Sequence, residues 1–340
     1  MDLDPGQPEF SPAGQLSLLH LVTPIFGPPF THLVVQETGL DADCGAARLV
    51  RAHTIASSSP RGNPYHFEAC AVDLMNCYRE ELTQLPLIVN YSSWLTAEGV
   101  EVLERLIQMI RPSDMIFLST EVEPSIILDS IRNAIHETTI LHQLSAQTNK
   151  FRTHIPADLR AMQELSYFHL AIPKTGHLQW DARPLARVKS WTATYGGASA
   201  DISGVMILDH QVPPQQLDRV IDGTVMAVVA YNPDKMDITD LTVAPDPAVS
   251  HCIGHVYVRS LQASATTTTL DLLVPEQHAI DLAHKRHQAV VLVGGKRDIP
   301  SWAYLEESTK LLRTASKDGE ADSKERWKEE IENLPWLQIP

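Results

Sequence analysis

Apolar residues fall at helical spacing in the first half of this chain and in short strand-like runs in the second. Leu103, Leu106, Ile107 and Ile110 recur at i, i+3, i+4 and i+7. That periodicity predicts a helix over 98–111, stopped by Pro112. Short apolar runs at 85–90 and 114–119 read as strands, and 125–136 as a second amphipathic helix. Strand, helix, strand, helix at this spacing predicts a parallel sheet. Further helices are expected over 67–81, with Val72, Met75 and Tyr78 on one face, and over 157–169. In the latter, Leu159, Met162, Leu165 and Tyr167 or Phe168 point inward.

Between these lie breaks. The apolar segment 16–22 runs into Pro24, Pro28 and Pro29, which forbid a helix there. Residues 40–64 are rich in Ala, Ser and Gly and read as a loop or linker, and 142–156 as a mobile connection. After residue 175 the pattern changes. Apolar runs at 205–208, 225–231, 255–258, 270–274 and 289–293 are separated by Gly, Pro and Asp turns, which predicts a β-rich unit. Residues 306–333 carry nine acidic and six basic residues and read as a solvated helix or tail. The expected organisation is an α/β domain over 1–172, a β-rich domain over 173–305 and a charged tail over 306–340.

Composition narrows the classes. With 340 residues the chain can bury a large core. A formal net charge of −15 argues against a generally basic RNA-coating protein and leaves room for a local basic groove. Cys44, Cys70, Cys77 and Cys252 form no CxxC pair, which argues against zinc and a disulfide framework and fits a reducing compartment. No apolar run approaches about 18 residues, so no membrane helix is expected. The first residues are acidic and polar, so no secretory signal is expected.

The first residues also carry the candidate chemistry. Asp2 and Asp4 stand against a Pro5-Gly6 turn, followed by Gln7. In nucleotide-binding α/β proteins an apolar strand ending in an acidic residue is where Mg²⁺ or a nucleophile is managed. Most of such a strand would precede Met1, so the chain is expected to begin inside a domain. An Asp before Pro-Gly is also a common turn initiator. Trp94 follows a predicted strand at the sheet end where α/β proteins bind ligands. It is either a base-stacking platform or a core residue closing the sheet. Gly294-Gly295-Lys296-Arg297 is not a phosphate loop, because that motif needs Gly at 290 and Ser or Thr at 297. No such motif occurs anywhere in the chain.

Asp2-Leu-Asp4-Pro-Gly-Gln7-Pro-Glu-Phe10 and Pro24-Ile-Phe-Gly27-Pro28-Pro29-Phe30-Thr31-His32 together resemble the polynucleotide 5′-hydroxyl kinases of the nucleolar pre-ribosomal-RNA processing type. The resemblance continues through Leu87-Ile-Val-Asn90, Trp94, Tyr167-Phe168-His169, His251-Cys252-Ile253-Gly254 and Ile299-Pro300-Ser301-Trp302-Ala303-Tyr304. Around Trp94 the family pattern is kept at Asn90, Trp94 and Gly99, while Tyr91, Ser93, Thr96 and Ala97 depart from it.

The resemblance implies a partial P-loop-type parallel sheet domain with a lid near 142–169, followed by a β-rich C-terminal domain. It implies an ATP-dependent kinase, with Mg²⁺, acting on RNA with a 5′-hydroxyl end. Such an enzyme works in internal transcribed spacer processing, in the nucleus and nucleolus, alongside a pre-rRNA-processing endoribonuclease. Asp4 would be the base and a metal contact, Asp2 a metal partner, Gln7 and Trp94 a substrate clasp, and Arg160 and Arg152 lid arginines. His169 reads as structural. The family's phosphate loop precedes the Asp2–Gln7 segment, so Met1 is expected to be internal to a longer reading frame. The alternative is an inactive interaction protein that docks the endoribonuclease.

Overall fold

The computed structural model describes residues 1–35, 47–119, 126–146, 154–171, 179–196, 200–208, 210–238, 240–263, 268–298, 300 and 302–303. The charged tail and Arg152 therefore lie outside the described residues. The chain opens with β1 (Asp2–Leu3), β2 (Gln15–Leu21) and β3 (Ala47–Thr54). Then come α1 (Pro64–Glu81), β4 (Asn90–Tyr91), α2 (Ala97–Ile110), β5 (Asp114–Ser119), α3 (Ile126–Ala134), β6 (Ile140–Ser145) and α4 (Pro156–Phe168).

The first sheet has the order β3-β2-β1-β4. β1 lies antiparallel to β2, with Asp2 opposite Ser17, and parallel to β4, with Asp2 opposite Asn90. Asn63 caps α1 by accepting from the His66 amide at 3.0 Å, and Pro64 starts the helix where its missing N–H costs nothing. Phe67, Cys70, Ala71, Leu74 and Cys77 of α1 then bury against Leu3, Leu16 and Leu18. The inward face is thus rotated from the expected one: Met75 is buried, but Val72 is partly exposed. Cross-strand pairing makes β3 out of residues read as linker. Its partners in β2 run from Gln15 opposite Thr54 to Leu21 opposite Ala47, and such pairing overrides a loop-like composition.

α2 ends with Arg111 in the left-handed region (φ 52°) just before Pro112. β5 follows as expected, and β6 pairs with it in parallel from Asp114 opposite Ile140 to Ser119 opposite Ser145. β6 corrects the reading of 142–156 as a mobile connection, since 142–145 lie in a paired strand. One face of this pair packs Met115, Phe117 and Leu141 against Leu103, Ile107 and Ile131 of the helices. The other exposes Ile116, Leu118, Ile140 and Leu144.

The second half adds β7 (Leu170–Ala171), β8 (Gln179–Trp180), β9 (Trp191–Tyr195), β10 (Gly204–Ile207), α5 (Leu217–Ile221), β11 (Val225–Tyr231) and β12 (Ser250–Ala263). It closes with β13 (Thr268–Leu273), α6 (Gln277–Lys285) and β14 (Ala289–Gly294). The expected β-rich unit is a six-stranded sheet in the order β10-β14-β11-β12-β13-β9. It is antiparallel except where β10 runs with β14. Ala52 of β3 packs on Ala227 and Cys252, so the two sheets share core. Among the described residues no helix is long and apolar enough to cross a membrane.

Candidate active site at the Asp4 turn

β1 delivers Asp2 and Asp4 to different environments. Asp2 is buried and fully engaged. Its Oδ1 accepts from Asn90 Nδ2 at 2.9 Å and the Asp4 amide at 3.2 Å, and its Oδ2 accepts from the Glu9 amide at 2.7 Å. Burial pushes its carboxyl above the ordinary value, and these three donors pull against that shift. Asp2 ties β1 to β4 and to the turn, and it presents no open oxygen to a metal in this conformation.

Asp4 is half-buried and only half engaged. Its Oδ1 accepts from the amides of Gly6 at 2.9 Å and Gln7 at 3.1 Å, the side-chain-to-backbone turn expected of Asp before Pro-Gly. Its Oδ2 accepts no hydrogen bond among the described residues. Gly6 has no room for a side chain, since a Cβ there would lie 2.8 Å from the Ser58 carbonyl oxygen. The Gly14 amide closes the loop on the Pro5 carbonyl at 2.8 Å, with Gly14 at φ 84°. Gln7 sits exposed beside Asp4.

α4 carries one polar stripe at i, i+3, i+4 and i+7, whose first two members hold this loop and whose last two hold the second half. Arg160 donates from Nη1 to the Gly6 carbonyl at 3.4 Å and from Nε to Asp298 Oδ2 at 2.5 Å. Gln163 donates to the Pro8 carbonyl at 2.8 Å, and Glu164 accepts from Trp302 Nε1 at 3.2 Å. Tyr167 accepts from the His255 amide at 2.8 Å and donates to Glu276 at 3.1 Å. Gln163 and Glu164 are buried while Leu159, Met162 and Leu165 are only partly so, which shifts the expected inward face. The signal was present in the sequence as four hydrogen-bonding side chains at helical spacing.

Trp94 is 5% exposed and packs with Leu3, Phe67 and Val102, so no face of its ring is open to a base. Its Nε1 is buried without a hydrogen-bond partner among the described residues. Trp94→Phe is therefore expected to cost under about 1 kcal/mol and Trp94→Ala about 3–5 kcal/mol. Urea denaturation of both variants checks this.

The Gly294–Arg297 turn exposes Gly295 and Lys296 and tucks the Arg297 guanidinium inward. A Cβ on Gly295 would meet the Ala56 carbonyl oxygen at 2.5 Å, and Arg297 buries Nε and Nη2 against Gly14 with no hydrogen-bond partner among the described residues. It offers no cradle for a phosphate. His169 bonds the Asp181 carbonyl through Nδ1 at 2.6 Å, a structural placement. Two cavities, of about 570 Å³ between α1 and α2 and about 860 Å³ beside β10, are lined by neither Asp4 nor Arg160.

Known proteins resemble the chain as follows. A family model described as "mRNA cleavage and polyadenylation factor CLP1 P-loop" matches residues 1–170. The polynucleotide 5′-hydroxyl-kinase grc3 of Aspergillus oryzae is 32% identical, covering 90% of this chain and 44% of that protein. GRC3 of Gibberella zeae is 30% identical over all of this chain and 52% of that protein. Grc3 of Aspergillus clavatus is 37% identical over 73% of this chain and 30% of that protein. The chain spans about half the length of the curated relatives it matches. Among solved structures, the wild-type Clp1p–Pcf11p (454–563) complex matches with a TM-score of 0.53 and 14% identity, over 87% of this chain and 67% of that one. At that identity the likeness is one of fold. It supports a partial P-loop-type α/β domain followed by a β-rich sheet.

Proposed function

The chain belongs to the Clp1 P-loop family, and on that premise we propose that it is an ATP-dependent RNA 5′-hydroxyl kinase of pre-rRNA internal transcribed spacer processing. The observation that carries this reading is Asp4. Its turn is held by Oδ1 alone, so Oδ2 is left to accept the proton of a 5′-hydroxyl. Such a base belongs within hydrogen-bond reach of the attacking oxygen. Gln7 stands next to it as a donor to the terminal nucleotide, and Arg160 brings a cation to the same turn.

Magnesium-bound ATP would supply the phosphoryl group. One open carboxylate oxygen fits Mg²⁺, which takes one or two protein carboxylates and fills its remaining sites with water and phosphate oxygens. Asp4 Oδ2, as the base, would meet the ion through one of its bound waters, and Asp2 supports it through the Asp4 amide. The phosphate-binding strand belongs, in this proposal, at the edges of β4 and β5. Neither edge is paired toward the other among the described residues, and α2 carries the chain from one to the other. A strand inserted there would run parallel to both and cover apolar surface such as Ile88 and Ile116.

The test is transfer of label from γ-labelled ATP to an oligoribonucleotide. Label is expected on a 5′-hydroxyl end, not on a 5′-phosphorylated one, and is expected to vanish when magnesium is chelated. The exposed β5–β6 face favours one second reading, an inactive subunit whose partner is the processing endoribonuclease. That reading predicts no label and co-purifying ribonuclease activity.

A further inference from the structure

We propose that Asp298 is a positioning residue for Arg160, fixing its guanidinium over the Asp4 turn from the β-rich half of the protein. The inference rests on the kinase reading for its catalytic consequence and on geometry alone for the contact. Arg160 is reached from two sides. Asp298 takes its Nε edge at 2.5 Å, while its Nη1 reaches the Gly6 carbonyl at 3.4 Å. Gly6 is also the residue whose amide is held by Asp4 Oδ1 at 2.9 Å. A continuous path of hydrogen bonds thus joins Asp298, Arg160, Gly6 and Asp4.

The path leaves the arginine able to act. A guanidinium carries five N–H groups in a fixed fork. Asp298 engages the Nε–H and Gly6 one Nη1–H, so the remaining Nη groups are available to an incoming phosphate without breaking the ion pair. An arginine held along one edge meets an anion with less orientational freedom to lose.

Stability is a weak explanation of the pair. Asp298 is about half exposed although Arg160 is mostly buried, and an ion pair open to solvent on one side contributes modestly to folding. Its segment is nevertheless firmly placed. Trp302 donates to Glu164 at 3.2 Å and stacks on Phe168 with ring centroids 5.2 Å apart, which seats Trp302 on α4. Before it, Arg297 is packed under Gly14 at the end of the Asp4 loop. The β-rich unit therefore presents a carboxylate to Arg160 from between the Arg297 and Trp302 contacts.

The test compares the wild-type chain with Asp298→Asn, Asp298→Glu, Arg160→Ala and the Arg160→Ala/Asp298→Asn double variant. Asp298→Asn is expected to lower kcat about 10- to 100-fold, the range for a misplaced catalytic group, with KM for 5′-hydroxyl RNA within about twofold. Asp298→Glu should restore part of the loss. In the Arg160→Ala background Asp298→Asn should have no further effect. Additive losses, or a faster Asp298→Asn enzyme, overturn the proposal.

A second readout needs no catalysis. The Arg160 Nε–H resonance, assigned by its loss in Arg160→Ala, is expected at low field and slow to exchange with water in the wild type. Both properties should be lost in Asp298→Asn. An unchanged resonance overturns the positioning role whatever the activity, while an inactive wild type with the expected resonance change overturns only the kinase reading.

Discussion

Asp4→Asn is expected to lower phosphoryl transfer by about 10²- to 10⁴-fold, the usual contribution of a positioned general base, with the fold left intact. The separation follows from the two oxygens. An asparagine keeps Oδ1, which accepts from the Gly6 and Gln7 amides, so the turn and the Gly6 carbonyl that meets Arg160 persist. What changes is Oδ2, the atom that makes no hydrogen bond among the described residues and that the mechanism needs as a proton acceptor. Asp4→Ala removes both roles and should also cost stability, about 1 kcal/mol or more for the lost turn hydrogen bonds. Initial rates with labelled ATP and 5′-hydroxyl RNA, run beside urea denaturation, separate the effects. A labelling rate within a few-fold of wild type in Asp4→Asn would leave Asp4 as a turn-former only.

Local chemistry was legible in the sequence, and long-range pairing was not. Periodicity and Pro112 located α2, and apolar runs gave β5 and β11 their observed ends. The Asp-Pro-Gly string announced a turn, and the turn is there. β3 was hidden because its stability comes from partners in β2 some thirty residues earlier rather than from its own composition. Helix α6 and strand β9 were missed for the same reason, since α6 is placed by packing on the six-stranded sheet and β9 by pairing with β13 at its edge.

Asp2 shows the limit most clearly. Two acidic residues flanking one leucine look equivalent as a string. Strand pairing puts one carboxylate inside, against Asn90, and leaves the other at the turn. Nor could spacing anticipate that Asp298 would meet Arg160 across 138 residues.

A stability effect as large as that of Trp94→Ala is expected at Glu164 and Arg297, beneath the same loop. Glu164 is buried, and burial lifts its carboxyl above the ordinary value even though Arg297 and the Trp302 N–H pull it down. Burial likewise lowers the Arg297 guanidinium against the pull of Glu164. No direct hydrogen bond joins the two, so their attraction acts across buried space where little water screens it. Arg297→Met leaves a buried carboxylate without its cation, which should cost about 3–5 kcal/mol. Adding Glu164→Gln keeps an acceptor for Trp302, removes the stranded charge and should recover most of that loss.

The pH dependence provides the sign. Because the folded Glu164 binds its proton more tightly than the unfolded chain does, stability is highest below the unfolded value of 4.5 and falls as pH rises toward the folded one. Removing Arg297 raises the folded value further, so the fall extends to higher pH. Urea midpoints should therefore show Arg297→Met more destabilised at pH 8 than at pH 5, with the difference gone in the double variant. Equal destabilisation at both pH values would mean that Arg297 supports the loop by packing alone, and that Glu164 is protonated in the wild type across this range.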